Sequence, residues 1–241
     1  MIRDVFVLLV CLSLLATNAM ADTVRVAVAS NFLPTAKLLA QAFETDHAYT
    51  VELRAGSSGK LFTQIVQGAK IDIFLSADQM RPHRLRQQFN LSQGDLLDYA
   101  RGTLLWWSKR PHKKITEAQL DLATVAIANP KLAPYGRAAS QVLEQLEMSS
   151  QVDTKIVTAE NITQVVRFVK SGAVDFALVA ASQRQALDGF GYFTEIDTGD
   201  YLPIVQTAAR LSSTQPAIEF WQFLQSDRVR DLVSTQGYRQ P

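Results

Sequence analysis

The sequence predicts an α/β protein of two similar lobes that close on a ligand in the cleft between them. Three observations lead there. Strand-like and helix-like stretches alternate through the first ninety residues. After Gly102 a second run of the same kind begins. Four of the strand-to-helix turns, two in each half, carry small or polar residues. Open α/β sheets bind ligands at such turns.

Residues 23–29 alternate apolar and polar and then turn wholly apolar, as a strand that becomes buried does. Ser30 and Asn31 end it. Leu33, Ala36, Leu39, Ala40 and Phe43 then recur at helical spacing, with Pro34 tolerated in the first turn. Val51 to Leu53 is the next strand. Leu61, Phe62, Ile65 and Val66 mark one face of the helix after it. Residues 71–77 form a third strand, followed by Asp78-Gln79 and a polar helix to about Phe89. This order implies a parallel sheet with right-handed crossovers.

The second half opens with the apolar strand 104–107. Residues 110–114 are a basic turn, read as a solvated loop. Strand 124–128, loop 129–136, helix 137–146, strand 155–158, helix 161–170 and strand 175–179 follow. Residues 192–196 and 201–205 are extended. Helix 214–225 takes Thr214 as its cap and Pro216 in its first turn. A last helix starts at Ser226 or Asp227 and ends near Gly237.

Residues 1–21 stand apart. Arg3 gives a short basic start, Val5 to Ala16 is too short an apolar run to span a bilayer, and Ala19-Met20-Ala21 fits a small-x-small cleavage site. This is the pattern of a secretory signal peptide, with the mature chain starting at about Asp22. Cys11, the single cysteine, falls inside it. A lipoprotein reading fails because Val10 is bulky for the position before Cys11 and the apolar run continues past it. The mature chain therefore forms no disulfide and rests on burial. A net charge of +1 with no basic block argues against nucleic acid and against an anionic membrane surface. His47, His83 and His112 lack metal-ligand spacing and read as surface residues. Trp106, Trp107 and Trp221 read as core or lobe-interface aromatics.

The most informative stretch is Ala55-Gly56-Ser57-Ser58-Gly59-Lys60-Leu61, where a strand turns into a helix. A helix start has unpaired N–H groups and partial positive charge, glycines allow close approach, and serines add donors and caps. That chemistry suits a small oxyanion; a capped helix start with no ligand fits the stretch equally. A Walker loop is excluded, since two residues rather than four separate Gly56 and Gly59, and Leu61 follows Lys60. Ser57-Ser58-Gly59-Lys60 matches the Ser-x-x-Lys of penicillin-recognising acyl transferases, which raises a secreted serine hydrolase using Ser57 or Ser58 with Lys60. The partner motifs of that family are missing: Ser226-Asp227-Arg228 is the nearest approach to one, and Lys-Thr-Gly is absent.

Five motifs together resemble the periplasmic molybdate-binding proteins of ABC importers. They are Val28-Ala29-Ser30-Asn31-Phe32, Gly56-Ser57-Ser58-Gly59-Lys60-Leu61, Asp72-Ile73-Phe74-Leu75-Ser76-Ala77-Asp78-Gln79, the run from Ala128 to Gly136, and Ala159-Glu160-Asn161-Ile162. They fall in the family's order and span essentially the whole mature chain. The resemblance implies the two-lobed type II periplasmic-binding-protein clamp, each lobe a mixed, mostly parallel sheet flanked by helices. Residues 22–102 plus 205–241 would form lobe one and 103–204 lobe two. It implies a non-enzymatic, monomeric carrier with no cofactor. The carrier would bind molybdate or tungstate in the periplasm and hand it to a membrane permease and ATPase. Sulfate or phosphate in the same clamp is the nearest alternative. The family's ion contacts carry over to Ser30, Asn31, Ser58, Tyr135 and Ile162, the last two through main-chain N–H groups alone. Some members place a tyrosine hydroxyl on the ion at the position of Ala180, which has none, so Asn31 would serve in its place.

Overall fold

The computed structural model describes residues 22–146 and 155–241. The expected leader, residues 1–21, lies outside the described residues.

The first half runs β1 (Thr23–Ala29), α1 (Leu33–Asp46), β2 (Thr50–Gly56), α2 (Ser58–Val66), β3 (Ile73–Leu75) and α3 (Met80–Phe89). β1 pairs in parallel with β2 on one side and β3 on the other. The three strands therefore end on one edge, and the turns that follow them gather there. β4 (Leu96–Gly102) has no counterpart among the expected elements. β10 (Ile204–Arg210) returns from late in the chain and runs antiparallel to both β3 and β4. The sheet order is β2-β1-β3-β10-β4.

The second sheet has the order β7-β6-β8-β5-β9. Its strands are β5 (Leu104–Ser108), β6 (Thr124–Ala128), β7 (Lys155–Ala159), β8 (Phe176–Ala180) and β9 (Tyr192–Glu195). β6 is parallel to β7 and β8, while β5 is antiparallel to β8 and β9. The short α4 (Glu117–Leu120), then α5 (Pro134–Gln145) and α6 (Ile162–Lys170), belong to this half. The chain passes between the sheets at Thr103 and again over residues 196–203. The last helices, α7 (Gln215–Leu224) and α8 (Asp227–Thr235), return to the first sheet. Phe220, Trp221, Leu224, Val229 and Val233 share one buried cluster there with Val24, Phe32, Leu39 and Phe43. Among the described residues no helix is long and apolar enough to cross a membrane.

Several boundaries differ from expectation, each for a local reason. α5 starts at Pro134 rather than Arg137, because proline suits the first helical position, where an N–H has no partner. Tyr135 therefore lies inside the first turn. β3 is shorter than 71–77, since the Ser76 hydroxyl bonds both the side chain and the N–H of Asp78 and turns the chain out of the ladder. β10 starts after Pro203, which cannot donate to a ladder. The Thr214 hydroxyl does not cap α7; it pairs with the Ser212 hydroxyl instead, at 3.1 Å. Ser226 does cap α8. All three tryptophans are buried. Among the described residues no cluster of His, Cys, Asp or Glu could hold a metal ion.

Candidate functional site

The turns after β1, β2 and β3 face the starts of α5 and α6 across the gap between the sheets. Between them lies a pocket whose walls include Ser30, Asn31, Ser58, Tyr135 and Ile162. All five residues singled out in the sequence thus meet at one place. Its volume is about 10 Å³, so the two sheets are drawn closely together around it. Among the described residues no Asp, Glu, Lys, Arg or His lines it.

The pocket is rich in donors because it is built from helix starts. The first N–H groups of a helix have no acceptor within it. Ser58, Tyr135 and Ile162 stand in the first turns of α2, α5 and α6, and Asn31 just precedes α1. Among the described residues no backbone bond between elements uses the N–H of any of the four. α5 is seated hard against the end of β6. A Cβ on Gly136 would stand 2.3 Å from the Ala128 carbonyl oxygen, so only glycine lets the Tyr135 N–H come this close to the strand end.

The hydroxyls divide into two kinds. Ser57 caps α2, accepting from the Lys60 N–H at 3.4 Å. The Ser58 hydroxyl oxygen accepts from the Ala77 N–H at 3.0 Å, which leaves its proton to give. The Ser30 hydroxyl has no hydrogen-bond partner among the described residues, while the Ser30 N–H is used by the Gly56 carbonyl at 2.9 Å.

Asn31 is tied down through its side chain. Its side-chain Nδ2 donates to Gln206 Oε1 at 2.9 Å and to the Tyr238 hydroxyl at 3.2 Å, so the side-chain donors are turned into the protein. The Asn31 carbonyl accepts from the Tyr238 hydroxyl at 2.9 Å and from Gln183 Nε2 at 3.1 Å. The main-chain N–H is the donor left over. Tyr135 is likewise busier than its sequence suggests. Its hydroxyl accepts from Gln206 Nε2 at 3.3 Å, away from the pocket, and burial pushes its pKa well above the ordinary value.

The model for bacterial extracellular solute-binding proteins matches residues 24–239 of this chain. The chain belongs to that family. This solute-binding protein is 35% identical over 230 residues to the molybdate-binding protein ModA of Rhodobacter capsulatus, covering 93% of this chain and 91% of that one. It is 33% identical over 236 residues to the molybdate-binding protein ModA of Azotobacter vinelandii, covering 93% of each. The solved structure of the Azotobacter vinelandii periplasmic molybdate-binding protein superposes with a TM-score of 0.81 at 32% identity, over 90% of this chain and 99% of that one.

The rim of the solute-binding protein's pocket is held by pairings between groups far apart in the sequence. Asp78 pairs with Arg81, its neighbour on the same turn, and with Arg137 Nη2 of α5 at 2.8 Å. Arg81 Nη2 also donates to the Lys131 carbonyl at 3.2 Å, and the Gly59 N–H to the Leu132 carbonyl at 2.8 Å. Burial pulls the pKa of Arg81 down from its ordinary value, and Asp78 opposes that pull. On the opposite side Lys60 Nζ pairs with Glu160 at 3.2 Å, and the Thr163 hydroxyl donates to the Ser30 carbonyl at 3.1 Å. All but the Asp78–Arg81 pair join residues of the first sheet's half to residues of the second's. Asp78 to Arg137 spans 59 positions, a separation at which charge pairing leaves no local pattern.

Proposed function

We propose that this solute-binding protein captures molybdate, and tungstate with it, and delivers the ion from the periplasm to the permease and ATPase of an ABC importer. The observation that carries the reading is the donor set of the pocket: main-chain N–H groups at helix starts and serine hydroxyls, with no charged side chain in the wall. An oxyanion that is fully ionised at neutral pH offers only acceptors, and a wall of neutral donors suits it. The names of the two ModA relatives support molybdate as the ion.

In this reading Ser30 and Ser58 give hydroxyl bonds, and Asn31, Ser58, Tyr135 and Ile162 give main-chain N–H bonds. Each charge-assisted bond contributes about 1.5–3 kcal/mol. Four to six of them reach roughly 6–18 kcal/mol before the cost of association. Micromolar binding, about −8 kcal/mol, lies inside that range. Residues 22–102 plus 205–241 act as lobe one and 103–204 as lobe two, after removal of residues 1–21. Opening the clamp parts the donors of Tyr135 and Ile162 from the rest, which releases the ion without a buried counter-charge to break.

The carrier is a monomer without cofactor or catalytic residue. Lys60, the base a serine hydrolase would require, is half exposed and paired with Glu160 rather than with Ser57 or Ser58. Thermal unfolding against a panel of oxyanions tests the reading, because binding stabilises the folded state by mass action. Molybdate and tungstate should raise the melting temperature at micromolar levels, and sulfate and phosphate only at far higher ones. Equal shifts from sulfate and molybdate would sink it.

A further inference from the structure

Gln206 lies on β10 where the pairing with β4 slips between Gln206 and Thr207. A bulge breaks the alternation of side chains and re-aims one of them. The extra residue here is Tyr99 of β4, and the Gln206 amide opposite it points inward, where it is fully buried. Its Oε1 accepts from Asn31 Nδ2 at 2.9 Å and from the Tyr99 hydroxyl at 3.1 Å, and its Nε2 donates to the Tyr135 hydroxyl at 3.3 Å. Asn31 and Tyr135 reach the pocket from opposite halves of the protein. One amide therefore holds the side chains of two residues whose main-chain N–H groups are free.

The Tyr135 hydroxyl is seated on Gly102, the last residue of β4 before the chain crosses to the second sheet. A Cβ on Gly102 would stand 2.1 Å from that oxygen and 3.0 Å from Gln206 Nε2. Non-bonded heavy atoms rest at roughly 3.5–4.0 Å, so the first distance is a hard clash. The closed arrangement is possible because glycine leaves room at 102 for the tyrosine oxygen. When the lobes part, Tyr135 leaves with the second sheet while Gly102 and Gln206 stay with the first.

We infer that Gln206 is a positioning residue of the pocket: its amide, bonded to the Tyr135 hydroxyl seated on Gly102, sets how far the lobes close. The inference rests on the reading of the pocket as an oxyanion site. Closure depth fixes the spacing between the Asn31 and Tyr135 donors. That spacing decides which ion size is held best. Gln206 thus acts on selectivity as well as on affinity, from a place the ion does not touch.

The test uses the mature chain, which carries no cysteine outside the leader. Lys60 and Glu160 face each other across the cleft, so Lys60→Cys/Glu160→Cys with a short bismaleimide reports closure with or without an ion. In that background Gln206→Leu, Gly102→Ala and Gly102→Ala/Tyr135→Ala are compared. Binding of molybdate and of sulfate is followed by calorimetry and stopped flow, and folding by thermal unfolding without ion. Gly102→Ala should fold like the parent, release molybdate about tenfold faster or more, and cross-link more slowly. Its association rate should stay within about threefold, since related complexes differ mainly in dissociation. The ratio of molybdate to sulfate affinity should narrow for both Gln206→Leu and Gly102→Ala. The double variant, lacking the tyrosine ring, should regain the parent's cross-linking rate. Parent-like cross-linking and release in Gly102→Ala overturns the inference. So does a loss that leaves the molybdate-to-sulfate ratio unchanged, which is what a merely structural role predicts. Should Gln206→Leu fail to fold, Gly102→Ala decides alone. If the parent binds no oxyanion at all, the proposed function fails, and cross-linking without ion still decides whether Gly102 and Tyr135 set closure.

Discussion

The Ser58 hydroxyl accepts a hydrogen bond from the Ala77 N–H at 3.0 Å, and both residues line the pocket. The bond fixes the oxygen and aims its proton elsewhere. Ser58→Ala should therefore act twice. It should weaken molybdate binding by about 1.5–3 kcal/mol, the value of one charge-assisted bond. It should also leave the buried Ala77 N–H unpaired and lower stability without ion by about 1–3 kcal/mol. Ser30→Ala, whose hydroxyl has no partner among the described residues, should weaken binding alone. Calorimetry and urea unfolding of the two variants separate these effects. Equal stability losses would refute the distinction.

Ile162 allows a main-chain donor to be deleted without breaking a helix. It is the first residue of α6, where proline is favoured, and Asn161 before it is extended, as a residue before proline must be. Ile162→Pro should keep the fold and weaken molybdate binding by about 1.5–3 kcal/mol. Ile162→Val, which keeps the N–H, should bind like the parent. Parent-like binding by the proline variant, with folding confirmed by circular dichroism, would remove Ile162 from the ion's contacts.

The rim cluster predicts an asymmetry between its members. Asp78 and Arg81 have side chains 9% and 6% exposed, while Arg137 is 41% exposed. Asp78→Asn strands a buried guanidinium and should cost about 3–5 kcal/mol in urea unfolding. Arg137→Ala removes a half-exposed partner and should cost at most about 1 kcal/mol. Its larger effect should be faster release of the ion, because its bond to Asp78 joins the lobes. Matching stability losses would show that Arg81 does not depend on Asp78.

Binding and stability should respond to pH separately. Among the described residues the one titratable group in the pocket wall is Tyr135, whose pKa burial raises well above the ordinary value, so it stays neutral through the working range. Affinity for molybdate should be flat between about pH 6 and 9. Asp175 behaves otherwise. The Thr124 N–H and the Lys109 ammonium hold its pKa below the usual carboxylate value. A lowered folded-state pKa gives stability that is present above about pH 4 and is lost as pH falls through the folded value. Asp175→Asn should lower the urea midpoint at pH 7 and make little difference near pH 3. A bell-shaped affinity profile, or an Asp175→Asn defect that persists in acid, would contradict these assignments.

Much of the architecture was legible because it is local. The alternation of β1, α1, β2 and α2 lies in apolar spacing, and the pocket residues sit at strand-to-helix turns, where Ser, Asn, Gly and Pro leave a signature. The rest is non-local. β4 has a mixed pattern and owes its place to antiparallel pairing with β10, more than a hundred residues away. Gln206 falls just past the extended run read over 201–205, and the partners of its buried amide, Asn31 and Tyr135, lie far from it in sequence. Tyr135 was read for its N–H alone; the partner that gives its hydroxyl a role arrives from β10. The partners of the Asn31 side chain, Gln206 and Tyr238, lie 175 and 207 positions away and leave no local pattern.

The last residues of the chain bear on how this protein can be handled. Arg239 forms an isolated bridge with Arg101, one residue before the crossing at Gly102, and the Tyr238 hydroxyl donates to the Asn31 carbonyl. Tyr238 and Arg239 are thus fastened beside the place where the chain leaves the first sheet. A fluorescent label placed at Gln240 would sit beside that crossing and would report a shift of one sheet against the other.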